Sequence, residues 1–255
     1  MKTPVRSIVV AGKGGVGKTT VAALIARHLA LHCPELRTLL VDADHATGLG
    51  IALSIEPAET LNDVRVASLA ELRARETSRQ PDLAAGVDYR LLSALAERDH
   101  LAFLALGRPE DDGCFCAVNT VLKRALELLT GDFDLTLIDA EAGLEQINRD
   151  VVGRVDVLLL VADGSLKSIR VAEAAREVAE RVGTARDFGL VFNRVRPEDD
   201  PEALRARTSL PVLGFLPDDA TVRAFDAEAR SFFELPDGPA PSALQPILDA
   251  LGLVR

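Results

Sequence analysis

No cluster of Lys and Arg occurs in this sequence, no apolar run approaches membrane-spanning length, and there are only 3 cysteines. Each scarcity excludes something. With 29 basic against 39 acidic residues and a net charge of -10, the chain lacks the dense positive charge that grips phosphate backbones, so nucleic-acid binding is not its expected work. The longest apolar runs, such as Val155 to Ala162, fall far short of the roughly 20 residues that cross a bilayer. Met1 to Ile8 does not resemble a secretory leader. The expectation is a cytoplasmic protein with neither a membrane nor a nucleic acid as partner. In such a compartment, so few cysteines read as thiols or metal ligands, not as a disulfide framework.

What is abundant is apolar material, 48% of the residues, enough for a well-buried core. Short β-branched runs alternate with segments of helical period. This pattern predicts an α/β fold, a doubly wound, mostly parallel sheet flanked by helices. Strands are expected at Ser7 to Ala11, Thr38 to Asp42, Leu101 to Leu106, Leu135 to Asp139, Val155 to Val161, Gly189 to Asn193 and Val212 to Leu216. Lys18 to Leu31, Val118 to Leu129, Leu166 to Val182, Thr221 to Arg230 and Leu244 to Leu251 carry the three- and four-residue apolar spacing of helices. Glu56 to Arg98 is rich in Arg, Glu and Ala without a motif and reads as helical cover or a family-specific insertion. Residues 1–255 are expected to form a single domain.

One loop carries the chemistry. Gly12, Lys13, Gly14, Gly15, Val16, Gly17, Lys18 and Thr19 fit G-x-x-x-x-G-K-[ST] between a strand and a helix that Thr20 continues, the context that a phosphate loop requires. Glycines turn backbone N–H groups onto phosphates, the helix N-terminus adds partial positive charge, Lys18 reaches the β/γ-phosphates and Thr19 ligates Mg2+. Asp42 and Asp44 follow the second strand, at the edge where open α/β sheets bind ligands. Asp139 ends another buried strand, with Gly143 following in Asp139-Ala140-Glu141-Ala142-Gly143. The Asp can bind Mg2+ through water and the Gly N–H can meet a γ-phosphate. Cys114 and Cys116 form a C-x-C before a helix. Alone, such a pair is more often two idle thiols, yet a two-fold axis would bring four sulfurs to one soft ion. His28 and His32 are spaced i, i+4 with Cys33 beside them, but without a third ligand they read as packing or surface residues.

The early Lys13 makes the loop resemble the deviant Walker A loop of the MinD/ParA/NifH superfamily of ATPases. In that family this lysine reaches the phosphates of the partner subunit, so the resemblance implies an ATP-sandwich homodimer of MinD/NifH-like P-loop fold. It also implies that Asp44 orients the attacking water, that Asp42 supports the metal shell or the strand end, and that Asn193 meets adenine. The guanine-reading N-K-x-D is absent, Asn193-Arg194-Val195-Arg196 standing in its place, so ATP and ADP are the expected nucleotides. Pro217 and Asp218 match a loop that lies against the base. From the phosphate loop to the last strand the chain resembles, more narrowly, the CooC-type nickel-insertion ATPases that mature carbon monoxide dehydrogenase. The shared string is the C-x-C, then Asp139, Glu141, Gly143 and Glu145, then the late Asn193. That resemblance implies Ni2+ or Zn2+ held by Cys114 and Cys116 of both protomers, and a client metalloenzyme resembling carbon monoxide dehydrogenase. The chain departs from the pattern at Gly48, at Glu110 to Asp112, at Ala117 and over Gln146 to Asp150. A MinD/ParA-like positioning ATPase and a NifH-like iron–sulfur electron donor are the alternatives.

Overall fold

The computed structural model describes residues 5–75, 83–108, 115–140 and 154–253. Strands β1 (Ser7–Gly12), β2 (Thr38–Ala43), β3 (Ala96–Arg98), β4 (Leu101–Ala105), β5 (Leu135–Ala140), β6 (Val155–Ala162), β7 (Ala185–Val195) and β8 (Val212–Pro217) form one sheet of order β3-β4-β2-β5-β1-β6-β7-β8. All neighbours run parallel except β3 and β4. The helices are α1 (Lys18–His32), α2 (Gly48–Leu53), α3 (Leu61–Arg75), α4 (Leu83–Ser93), α5 (Phe115–Leu129), α6 (Leu166–Val182), α7 (Pro201–Arg205), α8 (Ala220–Ala227) and α9 (Pro239–Leu251).

Parallel strands covered on both faces must be apolar at nearly every position, and these are. Ile8, Val10, Leu40, Leu137, Val157 and Leu159 point to one face, where α1 and α9 supply Leu24, Ile25, Leu244 and Ile247. Val9, Leu39, Val41, Ile138, Leu158 and Leu160 point to the other, against Leu122 and Leu126 of α5 and Ile169 and Ala172 of α6. The alternation of neighbours between faces is the two-residue period of an extended chain. Helix α1 is buried almost continuously from Thr20 to Leu29, which fits a helix that touches the sheet, α2 and α9 at once.

Most strands run about one residue past their expected ends, and the sheet departs further from expectation in two places. β7 runs Ala185–Val195, longer than Gly189 to Asn193, because its polar first residues pair with β6 and are partly exposed. The short antiparallel β3 falls in the stretch read as helical cover, and its partly exposed Ala96, Glu97 and Arg98 carry no apolar signal. The rest of that stretch contains α3 and α4. Helix α9 begins at Pro239, ahead of the expected Leu244, since proline is tolerated in a first turn that has no N–H bonds to lose. Helix α8 spans Ala220–Ala227 and stops short of Arg230, with Ala229 in a left-handed turn. Helices α2 and α7 were not anticipated, being too short for a periodic signal. No helix among the described residues is long and apolar enough to cross a membrane.

Candidate nucleotide site

Strand β1 lies between β5 and β6, and the chain from Lys13 to Gly17 turns over its carboxyl end into α1. Gly17 caps that helix with φ +87, and a Cβ there would lie 2.3 Å from the Asn193 amide nitrogen. Only glycine satisfies both the left-handed backbone and the close approach. Asn193, 4% exposed, donates from Nδ2 to the Val16 carbonyl at 2.9 Å, and Arg194 donates from a guanidinium nitrogen to the Gly15 carbonyl at 3.1 Å. With Arg194 at φ +58 and the β7–β8 register shifting between Phe192 and Val195, a bulge aims two neighbouring side chains at the loop. Asn193 was anticipated at the base; among the described residues its amide braces the loop.

Below the loop stand two aligned carboxylates. β2 and β5 pair with Asp42 opposite Asp139, and both are nearly inaccessible. Asp42 Oδ2 accepts from the Leu49 and Gly50 N–H groups at 2.8 and 3.1 Å, and Oδ1 from the Asp44 N–H at 3.2 Å. It therefore anchors the first turn of α2. Burial pushes Asp42 up to about 6, opposed by those amides. Asp139 Oδ2 accepts from the Thr19 hydroxyl at 2.6 Å, while Oδ1 is buried with no hydrogen-bond partner among the described residues. Burial pushes Asp139 up to about 7, the Thr19 hydrogen bond and the Lys18 charge opposing and the Asp42 and Asp44 charges reinforcing. A buried acceptor without a donor costs free energy. A hydrated divalent cation against Asp139 Oδ1 and Thr19 Oγ1 would satisfy it, and these hard oxygens suit Mg2+. Lys18 at 8% exposure stands among them.

A mononucleotide loop on this sheet order defines a lineage. The chain belongs to the CobQ/CobB/MinD/ParA nucleotide-binding domain family, whose profile matches residues 7–232. The family domain thus extends across every element from β1 to the Phe232 turn. An uncharacterized ATP-binding protein of Methanocaldococcus jannaschii is 30% identical over 90% of this chain and 91% of its own length. The carbon monoxide dehydrogenase accessory protein CooC of Rhodospirillum rubrum is 30% identical over 89% of each chain. Septum site-determining protein MinD of Synechocystis is 29% identical over 84% of this chain and 76% of its own. The solved cell division ATPase MinD of Pyrococcus furiosus superposes with a TM-score of 0.72 over 97% of this chain and 98% of that one, at 22% identity, a likeness of fold.

Within this family domain the remaining anticipated residues are distributed as follows. Thr20, Asn193, Pro217 and Asp218 line one small cleft together with Arg194 and Arg223. Asp218 pairs with Arg223, and its neighbour Asp219 caps α8 through the Thr221 and Val222 N–H groups. Asp44 turns toward its own loop, its Oδ1 accepting from the Ala46 N–H at 2.9 Å. The Asp163 carboxyl follows the end of β6 and feels the Lys13 charge. Burial works to raise that carboxyl, but hydrogen bonds from Ser168 and Ser165 and the Lys13 charge bring it below the ordinary range. Arg194 and Asp163 were not anticipated, because a bulge and a charge acting between distant loops leave no local pattern. His28 is buried with its ring 4.6 Å from His32, and Cys33 is buried at the end of α1. Cys116 lies in the first turn of α5. Cys114, Gly143, Glu141, Glu145 and Glu110 to Asp112 lie outside the described residues.

Proposed function

We propose that this chain is an ATP-hydrolysing metallochaperone of the CooC kind, a single-domain cytoplasmic protein that works as a nucleotide-controlled homodimer. The observation that carries this reading is the C-x-C of Cys114 and Cys116 in the sequence, in a chain 30% identical to CooC over 89% of both lengths. Two protomers on a two-fold axis would bring four thiolates to one soft ion. Ni2+ or Zn2+ is then cargo for a client metalloenzyme resembling carbon monoxide dehydrogenase.

In this reading the N–H groups of Gly12, Gly14, Gly15, Val16 and Gly17, with Lys18 and the hydroxyls of Thr19 and Thr20, hold the triphosphate of ATP and later ADP. Thr19 and Asp139 hold Mg2+, which when bound neutralises charge on the β- and γ-oxygens. Asp44 orients the water whose oxygen bonds to the γ-phosphorus as the bridging oxygen leaves with ADP. Lys13 reaches the partner's phosphates, Gly143 meets the γ-phosphate, Asp42 holds the switch at its base, and Asn193, Pro217 and Asp218 line the base side. A MinD-like positioning ATPase is the second reading, favoured by the 29% identity to the Synechocystis protein.

The test is metal content, mass and ATPase rate of a Cys114→Ser, Cys116→Ser double variant beside the unaltered protein, purified without oxygen. One divalent ion per dimer is expected in the unaltered protein and none in the variant, with ATP hydrolysis intact. A variant that keeps its ion, or an unaltered protein that binds none, removes the metallochaperone and leaves the MinD-like reading.

A further inference from the structure

Strand β7 reaches the phosphate loop with two neighbouring side chains, and they take two neighbouring carbonyls. Asn193 Nδ2 donates to the Val16 carbonyl at 2.9 Å, and the Arg194 guanidinium donates to the Gly15 carbonyl at 3.1 Å. A trans peptide unit is planar, so its C=O and its N–H point in opposite directions. The Gly15 carbonyl shares a unit with the Val16 N–H, and the Val16 carbonyl shares the next unit with the Gly17 N–H. A donor that draws each carbonyl toward β7 therefore turns the Val16 and Gly17 N–H groups to the opposite side of the loop. Neither N–H meets an acceptor among the described residues. Open donors ahead of a helix are what an anion takes up.

The two side chains are not equivalent. Asn193 is buried, whereas Arg194 is exposed and has φ +58. That left-handed backbone is free to glycine and strained for arginine. A strained residue persists where its surroundings hold it, and its side chain is the place to look for a role. Here the side chain crosses to a loop 179 positions away in the chain. Its guanidinium pairs with no carboxylate among the described residues, so the loop carbonyl is its printed-out charge's nearest polar contact on the fold.

We propose that Arg194 is a positioning residue for the phosphates: by holding the Gly15 carbonyl it turns the Val16 N–H into the phosphate cradle, as Asn193 turns that of Gly17. This rests on the reading above that the loop from Gly12 to Thr20 holds phosphate. It goes beyond that reading in giving Arg194 work on the phosphate end of the nucleotide, although the residue lines the cleft on the base side.

Inorganic pyrophosphate separates the two ends, because it has phosphates and no base. Affinities of full-length protein for Mg2+ with ADP and for Mg2+ with pyrophosphate are measured by calorimetry, and the Val16 and Gly17 amide resonances are followed by NMR. Arg194→Met removes the donor and keeps the length of the side chain. It should weaken both ligands about threefold to tenfold, the worth of one hydrogen bond. The downfield movement of the Val16 amide proton on pyrophosphate binding should fall by half or more, while that of Gly17 is retained. Arg194→Lys keeps a charged donor and should recover most of the affinity. Arg194→Gly relieves the left-handed backbone, so its thermal midpoint without ligand should equal or exceed that of the unaltered protein, while its binding is as weak as that of Arg194→Met. The proposal is overturned if Arg194→Met binds both ligands normally, or if ADP alone is weakened, the mark of a base contact. It is equally overturned if affinity falls with the Val16 resonance unchanged, the mark of charge attraction only, or if Arg194→Gly lowers the thermal midpoint together with binding. Lys18→Ala is measured in parallel. Normal pyrophosphate binding there removes the loop reading and the proposal together, whereas a loss in Lys18→Ala with none in Arg194→Met removes the role of Arg194 alone.

Discussion

Asp42 and Asp139 face each other across adjacent strands, both almost wholly buried, yet one is saturated with donors and the other is not. Around Asp42 the backbone closes in, with amides of Asp44, Leu49 and Gly50 on its oxygens. Around Asp139 the Thr19 hydroxyl donates to one oxygen, and the second oxygen has no partner among the described residues. Two paired carboxylates thus differ: one holds the protein's own chain, and the other keeps an oxygen open, which the proposed function gives to a cation. Burial alone does not distinguish a structural acid from a functional one; the tally of donors does.

The largest expected effect tests whether the unsaturated side is the working side. Lys18→Ala should lower the ATPase rate by about 10²–10³-fold, the usual consequence of removing a charged group aimed at the reacting phosphate. Its thermal midpoint should stay near that of the unaltered protein. Normal turnover in this variant, measured by phosphate release, would move the site elsewhere.

The next effect separates the two acids by stability. Asp42→Ala strands buried amides and should cost about 2–4 kcal/mol, lowering Tm by about 4–16 °C in a chain of this size. Asp139→Asn removes a poorly accommodated charge and should raise the Tm of nucleotide-free protein at pH 8 by about 2–4 °C. It should also abolish the extra stability that Mg2+ and ATP confer. The pH dependence follows from the same groups. Asp42 near about 6 and Asp139 near about 7 lie above the ordinary Asp value of 3.8, so between those limits the folded chain binds more protons than the unfolded one. Their contribution to stability falls as pH rises through that window. Scanning calorimetry should find a shallower loss of stability between about pH 4 and 7 for Asp139→Asn, and equal slopes in the two proteins would show that Asp139 is not the group responsible. His28 works in the reverse sense. Burial lowers its pKa first, with the neighbouring His32 and Arg27 charges adding to it, so its contribution is lost as pH falls below the ordinary histidine value.

The smallest effect asks whether the loop itself is braced from the saturated part of the structure. Asn193→Ala removes the donor on the Val16 carbonyl and the group against Gly17. It should raise the KM for ATP about fivefold, equivalent to about 1 kcal/mol, with kcat little changed. A fall in kcat with KM unaltered would place Asn193 nearer the reacting atoms than the structure does.

Much of this was legible in the residue pattern. The glycine spacing of the phosphate loop, the apolar strands ending in Asp42 and Asp139, and the Leu166–Val182 helix with the same limits in both readings are local signals. Less legible were β3, whose partly exposed edge residues need no apolar face, and α2, which exists because Asp42 captures its first turn. Asn193 was visible as a late polar residue at a strand end, but its present partner was not. The direction of its side chain depends on a bulge against β8, and that bulge is set by pairing, not by composition.

Neighbouring residues were enough to set the strand–loop–helix of the phosphate site and the doubly wound class, because glycine tolerance, apolar runs and helical period are local properties. Tertiary structure alone decided that Thr19 meets Asp139, that Asp42 is satisfied and Asp139 is not, and that Arg194 holds the Gly15 carbonyl. Those contacts join residues far apart in the chain, and their energies depend on burial and on donor counts that exist only once the strands are in register.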